Sequence, residues 1–145
     1  MKKKQFSVTI KAPREKVWEV LWNDQSYREW TSPFAEGSYA VSDWKEGNRI
    51  QFLSPSGEGM FSMIAKKIPN EFMSFKHLGV MKEGKEQPAD AQTENWSGSM
   101  ENYSLKNTNG STELSVEIDV IEEFEKFFDE AFPKALAKVK ELAEN

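Results

Sequence analysis

The chain has 145 residues, 19 of them basic and 24 acidic, a net charge of −5 and no cysteine. That length is enough to bury roughly two-thirds of the unfolded surface, so a single domain over residues 1–145 is expected to fold without a metal or a cross-link. The lack of cysteine excludes a disulfide framework, a thiolate nucleophile and a cysteine zinc site. It also suits a reducing compartment.

Met1–Lys4 is basic like the start of a signal peptide, but no apolar core follows it, and no apolar run is long enough to span a bilayer. The expectation is a soluble, cytoplasmic protein with no membrane insertion. Lysines concentrate at the N-terminus, whereas Glu113–Glu130 holds eight acids against the single base Lys126. An acidic chain with no Lys/Arg cluster among aromatics is not built for nucleic acid. The N-terminal lysines fit an edge strand that must resist pairing.

Residues 5–11 alternate, with Phe6, Val8 and Ile10 on one face, and predict a half-buried strand. Pro13 follows as the first residue of a helix, with Val17, Trp18 and Leu21 at helical spacing. Asn23-Asp24 ends that helix and caps a second short one reaching Trp30. Strands are then expected near 38–44, 48–54, 58–67, 71–79, 93–106 and 111–121, separated by Gly/Pro/Asn turn signals that suit an antiparallel meander. The polar stretch 80–92 extends a hairpin through Glu83-Gly84 in part, and otherwise reads as a lid or loop.

From Glu122 onward, Phe124, Phe128, Ala131, Ala135, Val139 and Leu142 share one helical face, with Phe127 beside them. Pro133 lies inside this pattern and predicts a kink or a restart. The fold class is therefore α+β: one curved antiparallel sheet wrapped around a long C-terminal helix, in the order strand, two short helices, six strands, helix.

This order, with KAPREKVWEVLWNDQSYREW at the front, resembles the START-like helix-grip (SRPBCC) superfamily. WSGSMENYSL, GSTELSVEID and FFDEAFPKALAKVKELAE are similar to its branch related to the activator of Hsp90 ATPase. The resemblance covers the whole chain and implies a cavity between sheet and long helix. Other members use such a cavity for lipids, hormones or polyketides. It supplies no catalytic signature.

Within the segment Glu94–Leu105, alternation puts either Ser97, Ser99, Glu101 and Tyr103 inward, or Trp96, Gly98 and Met100. Neither choice gives a continuous bulky row. Small residues leave volume for a ligand, but Gly98 could equally mark a bulge with the serines in water. Glu101 is a candidate acid or base if it is buried without a partner. His77, the only histidine, shares a face with Met73 and Phe75, and is either a polar tip in the pocket or a satisfied core residue. No HExxH spacing, nucleophile elbow or phosphate loop occurs, so no catalytic residue, metal or cofactor is assigned.

The expected ligand-binding residues are Trp30, Phe75, His77, Trp96, Glu101, Tyr103, Phe124, Phe127 and Phe128. Met60, Met63 and Met73 add adaptable apolar surface. The leading functional reading is a binding protein for a small apolar or aromatic, lipid-like ligand. The resemblance implies two alternatives: a co-chaperone of Hsp90, and a polyketide cyclase or dehydratase using Glu101, His77 or Tyr103. Because Phe6 already lies in the first strand, the separate preceding domain of the eukaryotic activator is not expected here.

Overall fold

The computed structural model describes residues Met1–Asn145. β1 (Lys2–Ile10) leads into α1 (Arg14–Trp22) and α2 (Asp24–Trp30). The Asn23 side chain accepts from Gln25 N and separates the two helices. β2 (Tyr39–Val41), β3 (Arg49–Leu53), β4 (Gly59–Ile68), β5 (Phe72–Lys82) and β6 (Lys85–Glu86) follow, then a one-turn helix α3 (Ala91–Glu94). β7 (Met100–Thr108), β8 (Ser111–Val120) and α4 (Glu122–Glu144) complete the chain.

All strand pairings are antiparallel, in the order β1-β8-β7-β5-β4-β3-β2, with β6 on β5. The expected sheet and long C-terminal helix are present, in an open eight-stranded form. No helix is long and apolar enough to cross a membrane.

Three local expectations are corrected. The strand expected over 93–106 begins only at Met100: α3 and a turn occupy the residues before it, with Trp96 N donating to Thr93 O and Gly98 at φ +90°. Asp90 accepts from Thr93 N and caps that helix, a local bond that outcompetes extended pairing. The strand expected over 38–44 shrinks to three residues. Ser42 and Asp43 take backbone N–H groups of Trp44 and Lys45, which turns the chain at once. Lastly, α4 is one helix of 23 residues running through Pro133, so of the kink and the restart expected there only the restart is excluded.

The inner face of the sheet reads directly from the register. Phe6 pairs with Val116 and Val8 with Leu114; Tyr103 then lies across from both Val116 and Met73. α4 covers the β1 side of this face and also touches α1 and α2. Its buried residues are Ala131, Phe132, Ala135, Leu136, Val139 and Ala143, all from Ala131 onward. In its first half Phe124 is 39 % exposed and Phe127 45 %. The helix therefore grips the sheet with its C-terminal part and stands off it with its N-terminal part.

Candidate functional site

Beneath the first turns of α4 lies a pocket of about 690 Å³. Four of the elements that wall it place their side chains for a local reason. On α2, Tyr27 and Trp30 sit three residues apart on one helical face, with rings crossing edge to face at 5.5 Å. Trp30 Nε1 donates to Leu21 O, which locks the indole as a fixed wall. On α4, Phe124, Phe127, Phe128 and Phe132 follow at helical spacing.

β5 contributes through an irregularity. Ser62 pairs with His77 while Phe61 pairs with Gly79, so Leu78 bulges out of register. The bulge switches the alternation, and His77, Val80 and Lys82 all reach the pocket from one strand. β7 supplies Glu101 and Tyr103, two residues apart on the inner face. Of the two registers open on sequence, the one with Tyr103 inward is adopted.

A hydrogen-bonded chain crosses the pocket floor. His77 Nε2 lies 2.9 Å from Glu101 Oε1, and Ser62 Oγ lies 2.7 Å from His77 Nδ1. A carboxylate only accepts, so Nε2 carries the proton, and in the neutral ring Nδ1 accepts from the Ser62 hydroxyl. Tyr103 OH donates to Glu101 Oε2. The Glu101 side chain retains 21 % exposure and that of His77 8 %. Burial first, and the nearby Glu101 second, raise the phenols of both Tyr27 and Tyr103 above their ordinary range. Tyr103 spends its proton on Glu101, whereas the Tyr27 hydroxyl has no hydrogen-bonding partner in the protein. No cluster of three or more His, Asp or Glu side chains is placed to hold a metal ion.

Of the residues expected from sequence, Trp30, His77, Glu101, Tyr103, Phe124, Phe127 and Phe128 meet at this pocket. Trp96 also faces it, but from the turn after α3 rather than from a strand. Phe75 does not line it. Its ring is 1 % exposed and packs edge to face against Trp22, Phe52 and Tyr103, so it supports the wall from behind. Met60 lines the pocket, Met63 does not, and Met73 is fully buried in the core.

Sequence reasoning missed Tyr27, Phe34, Phe52, Phe132 and Ser62. Tyr27 and Phe132 were readable in principle, lying one turn from Trp30 and Phe128. Ser62 carried no signal, because only the bulge at Leu78 brings it opposite His77.

No protein-family model and no curated protein sequence matches the chain. Solved structures do. Protein MLL2253 from Mesorhizobium loti superposes with a TM-score of 0.76 at 16 % identity, covering 97 % of this chain and 96 % of that one. The Aha1 dimer of Colwellia psychrerythraea gives 0.76 at 20 % identity, over 99 % and 97 % of the two chains. CalU16 from Micromonospora echinospora gives 0.68 at 16 % identity, over 97 % and 75 %. What these likenesses establish is the architecture: the chain has a helix-grip fold, one antiparallel sheet with a long C-terminal helix across it.

Proposed function

We propose that this protein binds a small apolar or aromatic molecule in the pocket between its sheet and the N-terminal half of α4. One observation carries the reading: the pocket is walled by aromatic rings on α2 and α4, yet ends on a compact polar cluster, His77–Glu101–Tyr103. Apolar walls with a few convergent polar groups are what a small-molecule site needs, since the walls supply affinity and the polar groups orient. A plain core would bury Phe124 and Phe127 rather than leave both partly in water at the pocket rim. The ligand-binding residues are Trp30, His77, Trp96, Glu101, Tyr103, Phe124, Phe127 and Phe128.

The test is thermal unfolding with a neutral apolar probe, N-phenylnaphthylamine, together with native mass spectrometry of freshly purified protein. A probe at a hundred times its dissociation constant stabilises by about 2.7 kcal/mol, a shift of several degrees. No shift and no co-purified small molecule would remove the reading.

A second reading is a chaperone-type partner, supported by the likeness to the Colwellia Aha1 dimer. Its test is separate: a pull-down with Hsp90 and the effect of this protein on the Hsp90 ATPase rate. An unchanged rate and no capture would dismiss it.

A further inference from the structure

The polar end of the pocket is not chemically neutral in its preferences. Tyr27 is only 7 % exposed, lines the pocket and makes no hydrogen bond to the protein. Its hydroxyl opens into the pocket, where a ligand can reach it. Glu101 is close enough to Tyr27 to raise its phenol, after burial, and each Glu101 oxygen has one protein partner and a further lone pair. Tyr103 OH gives its proton to Glu101, so toward the pocket its oxygen offers only lone pairs. The free groups here are therefore predominantly acceptors.

Around them stand aromatic rings. Tyr27 lies 5.5 Å from Trp30 and 6.5 Å from Phe52, and Trp30 lies 6.2 Å from Tyr103, centroid to centroid. Ring faces carry negative potential and attract cations, most strongly where water is excluded. The remaining ionisable side chains around the pocket lean the same way: Glu58, Asp90 and Asp119 against Lys82. Asp119 is offset from outside by Lys3 at 3.1 Å.

We propose that the ligand is an organic amine: an apolar or aromatic body carrying an ammonium that seats on Glu101 between the Tyr27 and Tyr103 hydroxyls, beside the partly exposed ring of Phe52. The ammonium donates to Glu101 and to the Tyr27 oxygen, which has no partner within the protein and opens into the pocket. A carboxylate in the same place would set like charges together and find only the Tyr27 proton to accept. This assignment rests on the binding reading above and narrows it.

The experiment compares naphthylmethylamine, naphthylmethanol and naphthoate by calorimetry on the full chain at neutral pH. The three share one ring body and differ only in head group. The amine is expected to bind at least about tenfold tighter than naphthoate, with the alcohol between them, the lower end of what a charge-assisted hydrogen bond in a dry site contributes. Glu101→Gln should bring the amine to the affinity of the alcohol, and Tyr27→Phe should weaken the amine several-fold. Tyr27 has no partner within the protein, so its variant keeps the fold and serves as the control should Glu101→Gln not fold. Naphthoate binding as tightly as the amine overturns the amine assignment and leaves the binding reading standing. Failure of all three to bind overturns both.

Discussion

Phe128 and Phe132 sit one turn apart on the pocket's α4 wall, and truncating each in turn separates a ring anchored in the core from one that is not. Phe132 is 2 % exposed, stacked on Phe6 at 4.9 Å and edge-on to Phe34 at 4.8 Å. Phe132→Ala removes a large buried ring where neighbours on two sides cannot follow, and should cost about 3–5 kcal/mol. In a chain of 145 residues that lowers Tm by roughly 10–20 °C. Phe128 is half-buried, with Phe132 at 5.8 Å on one side and the pocket on the other. Phe128→Ala enlarges a space that is already open, so only the transfer term is lost and the cost should be about 1–1.5 kcal/mol. Urea unfolding followed by tryptophan fluorescence measures both. The Phe128 variant should also change affinity for N-phenylnaphthylamine. Equal destabilisation by the two variants, with probe binding untouched, would mean that the first half of α4 closes over a filled interior.

Other consequences follow from the same geometry. Folding holds the Tyr27 and Tyr103 protons more tightly than the unfolded chain does. The stability this gives is complete below the ordinary phenol range of about 10 and is lost as pH rises from there toward the folded values. Phenolate absorbance should accordingly show two of the three tyrosines ionising only together with unfolding; independent ionisation before the fold is lost would contradict their burial. Ser62→Ala leaves the buried Nδ1 of His77 without its partner and should cost about 1–3 kcal/mol, read from the urea midpoint. A neutral outcome would mean that the His77 contact is idle. Gly59→Ala would place a Cβ 1.9 Å from the Phe52 carbonyl oxygen, so the β3–β4 hairpin must shift. It should lose at least about 1–3 kcal/mol and disturb the pocket wall that Phe52 provides.

The fold was legible because its signals are periodic. Alternation in Phe6–Ile10 and a one-sided apolar stripe from Phe124 onward each name an element and the face it buries. Where local side-chain bonds decide, the pattern misled. Around Ala91–Gly98 the Asp90 cap overrode β-forming neighbours, and Trp96 reached the pocket by a route no alternation rule describes. The site was legible in part for the same reason. Residues on regular elements, such as Trp30, Tyr103 and Phe128, could be placed by counting. The bond between Ser62 and His77 depends on a bulge at Leu78, and the support that Phe75 gives depends on which side of the sheet its neighbours fill. Which part of α4 grips the sheet was likewise hidden, because Phe124 and Phe132 look alike in sequence and differ only in whether β1 lies beneath them.

The most direct test of the pocket is amide and aromatic NMR mapping during a titration with naphthylmethanol. Saturable shifts should concentrate at Tyr27, Trp30, Trp96, Glu101, Tyr103, Phe124 and Phe128, leaving Phe75 and the α1 residue Trp18 nearly still. Shifts that never saturate, or that gather on the outer face of the sheet, would contradict the account.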